Sequence, residues 1–403
     1  MTRALSFRQV AGILLFAVIV QLLVALAAFG PTLTSTPRDL PLGIVDTDAG
    51  ADAGADPGTG VVLRVGKLLA TGIVEAPRPE VAWTVFASEA ELRAAMASRQ
   101  VYGGIVLPPD LTEQMRLLAD EGARPAQVLV LVNEGMHPAG AQAARGILAA
   151  VVDGASRQLG HDRLATLAAA DARLSPDQVV TLASPLQAQV EATHAPSDAP
   201  TGAQLPLVLT VLLWLGTLVA SLFLFIALHR HDQVASAFTR TQLVASVGLA
   251  AVLPAPVLAI VVWLLGIPTD GGVALYGLLA LTALAFLLLQ AAVLDWLGFA
   301  GWPLLVILWL FGPSVLAVPP EFLAEGYRTW IYGWIPFRYT FEALQGLLYF
   351  DAGAGETARN VWIVGLYGLL ALAAVLGSVR RLQARDLTVH PLARRFRAAP
   401  APE

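Results

Sequence analysis

The chain has no cysteine. That excludes a disulfide framework, a thiolate metal centre and cysteine nucleophile chemistry. Charge is scarce as well. Asp, Glu, Lys and Arg make up 14% of the 403 residues, against roughly 25% in soluble domains. With 56% hydrophobic residues and a mean hydropathy of +0.67, the composition is that of an integral membrane protein. No long basic stripe exists to follow a nucleic-acid backbone, so nucleic acid is not an expected partner. No Gly-x-x-x-x-Gly-Lys-Ser/Thr stretch occurs. Gly66-Lys67 lacks both the earlier glycine and the following hydroxyl residue, so this chain does not hydrolyse ATP by that mechanism. Gly-x-Ser-x-Gly is missing too, and no Ser or Asp catalytic constellation assembles.

What the chain has is long apolar runs: residues 205–228, 243–265, 273–294, 303–318 and 361–379, none containing Asp, Glu, Lys or Arg. About 20 apolar residues cross a bilayer, and in lipid each backbone polar group must be paired internally, so the runs read as helices. The run at 303–318 reaches that length only if its helix starts near Phe299 and Gly301. A sixth run, 10–29, follows Arg3 and Arg8. It reads as a retained signal-anchor helix or as a cleaved secretory signal. Its length favours the retained helix, since a cleavable core spans about 7–15 residues.

Arginines set the orientation. Arg3, Arg8, Arg230, Arg240, Arg380, Arg381, Arg385, Arg394, Arg395 and Arg397 all fall on one side if six helices cross in turn. The expected class is an α-helical polytopic membrane protein with six transmembrane helices (1+5) and an α/β extracytoplasmic domain between helices 1 and 2. The divisions are residues 1–30, 31–204, 205–382 and a basic tail at 383–403. Both termini lie in the cytoplasm of a cell (inner) membrane.

The segment 31–204 alternates strand and helix patterns. Strands are expected at 42–45, 81–86, 102–107 and 127–132. Helices are expected at 61–71, 88–99, 110–119 and 137–159, with a helical region at 162–190 and a polar tether at 193–202. Ser88 with Glu91 forms a capping-box signature. Residues 321–360 gather Trp330, Tyr332, Trp334, Phe337, Tyr339, Phe341 and Tyr349 with Arg328, Arg338 and Glu342. Aromatics of this kind mark the membrane boundary. Residues 336–350 are therefore expected as an amphipathic helix at, or dipping into, the outer surface.

The order of these features resembles the YhgE/Pip (phage infection protein) family within the ABC-2 type membrane-subunit superfamily. Leu40-Pro41-Leu42-Gly43-Ile44-Val45-Asp46-Thr47-Asp48 is close to that family's opening motif. Tyr102-Gly103-Gly104-Ile105-Val106-Leu107-Pro108-Pro109-Asp110-Leu111 matches its next segment, and residues 126–132 run into Asn133-Glu134. Asp46 stands where the family commonly has Asn, and the long coiled-coil insertion of many members is missing. The resemblance implies the membrane subunit of an exporter that dimerises with itself or a related subunit. ATP would be hydrolysed by a separate cytoplasmic ATPase. It also implies that residues 229–242 face that ATPase, through Arg230, His231, Asp232, Gln233 and Arg240, with Phe238 docking in a cleft. The competing reading is a membrane scaffold or receptor whose α/β domain binds envelope partners or phage.

Other polar residues carry weaker signals. The runs contain Gln21, Thr210, Ser221, Gln290 and Ser314 but no carboxylate, and Asp295 is expected at a cytoplasmic helix end. An intramembrane proton relay is therefore disfavoured. Asp46, Asp48, Asp52 and Asp56 lack the closing Glu of an EF-hand loop. The histidines His137, His161, His194, His229, His231 and His390 offer no metal spacing. No metal or cofactor is expected in this chain.

Overall fold

The computed structural model describes residues 7–50, 64–118, 120, 122–169, 173–196, 202–229, 235–264, 272–350 and 355–384. The chain divides into two units, Thr36–Pro196 and the combination of Met1–Ser35 with Ser197–Glu403. Each is described by itself.

After helix α1 (Phe7–Leu33), the first unit runs β1 (Leu40–Asp46), α2 (Val65–Glu75), β2 (Val81–Phe86), α3 (Glu89–Ala97), β3 (Gly103–Leu107), α4 (Leu111–Leu117), β4 (Ala126–Asn133), α5 (Pro138–Ala169), α6 (Pro176–Ala183) and β5 (Leu186–Thr193). The five strands form one mixed sheet in the order β2-β1-β3-β4-β5. β1 is parallel to β2 and β3, β3 is antiparallel to β4, and β4 is parallel to β5. Central β3 is buried along its whole length, as a strand covered on both faces must be. Gly43 and Gly104 are paired neighbours in β1 and β3. A Cβ on Gly43 would lie 2.4 Å from the Leu92 side chain. The pair thus clears the space in which α3 packs. Ser88 caps α3 by accepting from the Glu91 amide at 3.2 Å, while Glu91 accepts from the Ala87 amide at 3.0 Å.

The helical region expected at 162–190 holds at 162–169 and 176–183 and is corrected at its end. Helix α5 ends at Ala169, α6 occupies one short stretch, and Leu186–Thr193 is a strand. Leu186, Ala188, Val190 and Ala192 alternate with Gln187, Gln189, Glu191 and Thr193, which is a period of two rather than 3.6. Ser156 on α5 anchors the strand by bonding both the amide and the carbonyl of Leu186 at 3.0 Å. The helix expected at 61–71 is observed as α2, with residues 61–63 outside the described residues. The expected tether starts later, since Thr193 still belongs to β5, and residues 197–201 lie outside the described residues.

The second unit is helical: α1, α7 (Leu205–His229), α8 (Ala235–Val252), α9 (Pro254–Ala259), α10 (Gly272–Leu297), α11 (Trp302–Leu316), α12 (Glu325–Tyr327), α13 (Pro336–Tyr349) and α14 (Gly355–Ala384). Among the described residues four helical stretches are long and apolar enough to cross a membrane: Gly202–His229, Ala235–Trp263, Gly272–Leu316 and Gly355–Arg381. The third is 45 residues long and turns at Gly298, whose φ of +67° suits a residue without a Cβ. It therefore holds two helices. The second of these, α11, has 15 residues, or about 22 Å at 1.5 Å per residue. α10 packs on α7, α8 and α14, and α1 packs on α11.

Among the described residues Trp214 of α7 is the largest fully buried side chain. Its ring meets Phe286 of α10 edge-on at 4.8 Å and Phe337 of α13 at 4.5 Å. Gly312 of α11 makes room for Phe337, since a Cβ there would lie 2.9 Å from that ring. Trp214→Ala is expected to destabilise the helical unit through the cavity it leaves, by about 24 cal/mol per Å³ that the neighbours fail to refill. Thermal unfolding of the detergent-solubilised chain checks this through a clearly lowered transition.

Candidate functional site

The segment around α13 brings together several of the residues singled out in the sequence. The Glu342 carboxylate accepts from the Tyr332 hydroxyl at 3.0 Å, from Arg338 Nε at 2.6 Å and from Asn360 Nδ2 of α14 at 3.1 Å. The Arg338 guanidinium lies over the Tyr332 ring at 4.3 Å and near Tyr339 at 5.4 Å. Burial opposes the charge on Arg338, but neighbouring Glu342 outweighs it and raises the affinity of Arg338 for its proton. Tyr339 donates to the Gly333 carbonyl at 2.8 Å, and Trp334 Nε1 bonds the Trp330 carbonyl. Trp330 and Trp334 remain exposed.

The expected surface helix at 336–350 forms, but its apolar face is not left for lipid. Phe337, Phe341 and Leu344 are buried, and α13 packs on α7, α10, α11 and α14. Ring packing on Trp214 and Phe286 takes the place of the bilayer. Of the six aromatic-segment candidates, Arg338, Tyr339 and Glu342 gather, Trp330 and Trp334 point outward, and Phe337 belongs to the helical core.

Residues 230–234 lie outside the described residues, and with them Arg230, His231, Asp232 and Gln233. Phe238 is only 1% exposed. It clusters with Leu228 and Ala235, and the His229 ring stands edge-on to it at 5.0 Å. The expectation that Phe238 docks in a partner's cleft is therefore corrected: its ring fills the joint between α7 and α8. Arg240, two residues on, is exposed.

Asp295 stands two residues before the last residue of α10, at a helix end as expected, and is 4% exposed there. Gln242 Nε2 of α8 donates to its Oδ1 at 3.1 Å, and Ser378 Oγ of α14 lies 3.3 Å from Oδ2. Sequence reasoning missed this joint, because its three residues come from three separate helices. A second buried polar contact runs from Gln290 Nε2 to Thr217 Oγ1 at 3.1 Å.

The motif residues of the α/β unit meet at the ends of its strands. Asp48, just after β1, accepts from the Gly66 amide at 2.9 Å, the Thr112 amide at 3.1 Å and the Gly50 amide at 3.3 Å, and also from the Thr112 hydroxyl. One carboxylate thus closes the first turns of α2 and α4, where helix N–H groups lack partners. Asp46 accepts from the Asp48 amide at 3.1 Å. Asp110 stands at the N-cap of α4 but makes no side-chain cap bond. Pro108 supplies the carbonyl that receives the Leu111 amide at 3.2 Å. Tyr102 is buried against Gly140, and Asn133 is fully buried with Nδ2 donating to the Met96 carbonyl at 2.8 Å. These positions are joints of the fold. Among the described residues no group of three or more His, Cys, Asp or Glu could hold a metal ion.

Apolar helices of spanning length around a buried aromatic core define a polytopic α-helical membrane protein. A family model described as ABC-2 family transporter protein matches residues 8–376, and the chain belongs to that family. No curated protein and no solved structure gives a match.

Burial pushes the Asp48 carboxyl up, but the Thr112 hydroxyl and the Gly66, Thr112 and Gly50 amides outweigh it and hold the carboxyl below its ordinary value. Its stabilisation is then present above the unfolded value of about 3.9 and lost as pH falls through the folded one. Asp48→Ala is expected to destabilise the α/β unit by roughly 1–3 kcal/mol at neutral pH. The difference from the unsubstituted protein should shrink towards strongly acid pH, as read by circular dichroism melts across a pH series.

Proposed function

We propose that this chain is the membrane (permease) subunit of an ABC-2 exporter that moves a hydrophobic or amphipathic compound. The observation that carries the reading is the family match over residues 8–376, on a chain whose helices are apolar and of spanning length. In this reading six helices cross a cell membrane: α1, α7, the α8–α9 stretch, α10, α11 and α14. Both termini lie in the cytoplasm and residues 31–204 lie outside it. The opening and Tyr102 motifs support placement near the phage-infection-protein branch.

ABC-2 membrane subunits in general work with an ATPase subunit. ATP would be hydrolysed there and not in this chain, whose membrane partner is a second copy or a related subunit. The ATPase would meet the connection between α7 and α8. Exposed Arg240 can contribute a charge to that surface, while buried Phe238 supports it from within. The apolar composition of the spanning helices suits lipids, lipid-linked molecules or amphiphilic drugs better than ions.

Purification of the native complex in mild detergent tests the reading. An ATPase should accompany the chain. Arg240→Glu should reduce the amount recovered several-fold, with the thermal transition of the chain unchanged. Reproducible isolation without any ATPase, with envelope proteins or phage bound to the α/β unit, would favour the scaffold or receptor reading.

A further inference from the structure

The joint at Asp295 carries a chemistry that membership in the family does not assign. Asp295, Gln242 and Ser378 are 4%, 2% and 0% exposed, and they come from α10, α8 and α14. A carboxylate this deeply buried requires a cation or several hydrogen-bond donors. Among the described residues no ion pair reaches it. On α14, Arg381 lies over the Trp296 ring at 5.3 Å and Arg380 is exposed, while Glu356 pairs with Arg359 towards the helix start. On α8, Arg240 is exposed. On α7, His229 is bonded to the Phe225 carbonyl. On α13, Arg338 is paired with Glu342. α9 and α11 carry no titratable side chain.

The donors do not suffice either. Gln242 Nε2 supplies one bond, to Oδ1. Ser378 has a single hydroxyl proton, and its 2.7 Å bond to the Val375 carbonyl claims it. At the 3.3 Å contact between Ser378 Oγ and Asp295 Oδ2, two acceptors would then face each other unless the proton comes from the carboxyl. A carboxylic acid solves both problems. Its Oδ2–H donates to Ser378 Oγ, its Oδ1 accepts from Gln242, and no charge is buried.

We infer that Asp295 is a proton-binding site within the helical unit, where a neutral carboxyl joins α8, α10 and α14. The inference stands apart from the export reading, because it rests only on the geometry of these three helices.

Infrared spectroscopy of the full chain in detergent at neutral pH, compared with Asp295→Asn, tests it. The carbonyl stretch of a protonated carboxyl should be present in the unsubstituted protein and missing from the variant. Asn reproduces the bonds of the neutral acid, with its amide N–H towards Ser378 and its oxygen towards Gln242. Its thermal transition should therefore stay within about 1 °C, roughly the shift that the loss of 1 kcal/mol brings at about 2.1 cal/mol/K of unfolding entropy per residue in a chain of 403 residues. Asp295→Leu, which breaks both bonds, should melt well below it. Absence of the protonated band would overturn the inference. So would an Asp295→Asn chain that fails to fold, because the site would then need a charge.

Discussion

The helical unit depends on one contact, the packing of Trp214 against Phe286 and Phe337. In lipid, burying apolar side chains against one another gains little over leaving them in hydrocarbon, so helices associate through close packing and internal hydrogen bonds. Interlocking rings supply the packing. They bring α7, α10 and α13 together at one point, and Gly312 lets α11 approach the same ring. α13 is held there although its sequence is only half apolar. The charged part of its polar side is satisfied, by the Arg338–Glu342 pair, by Tyr332 and by Asn360 reaching over from α14.

The buried polar groups follow the same constraint. Gln290 reaches Thr217 across α10 and α7, and Asp295 reaches Gln242 and Ser378 across α8, α10 and α14. Central α10 takes part in both, at Gln290 and at Asp295 in its C-terminal third. A helix surrounded by neighbours can carry such groups, whereas one facing lipid cannot. Tyr276 adds a further tie from α10 to the Ala251 carbonyl of α8.

Much of this was legible in the sequence, and what was not has definite causes. Charge-free apolar runs located α7, α10 and α14, because a single run of about 20 residues can pair its own backbone in lipid only as a helix. Compact β-branched runs located β1 to β4. β5 was missed because it is built from Gln and Ala as much as from Leu and Val, although Ser175, Gln178 and Pro176 already signalled a short helix before it. The helix at α13 could be read from its pattern. Its partner surface could not, because that depends on Trp214, more than a hundred residues earlier. Phe238 read as a docking residue because local sequence does not reveal that Leu228 and His229 close over it. The Asp295 joint draws on positions 242, 295 and 378, and no local rule links them.

The proposed topology puts residues 31–204 and the loop after α7 on opposite sides of a membrane. A chain with no native cysteine allows a direct measurement. Ser175→Cys and Arg240→Cys each introduce one thiol, at positions exposed in the fold or close to exposed surface. Intact cells are treated with a membrane-impermeant maleimide before and after permeabilisation, with any outer membrane first removed. The account predicts labelling of position 175 in intact cells and of position 240 only after permeabilisation. Equal labelling of both positions in intact cells, or of neither, would contradict it.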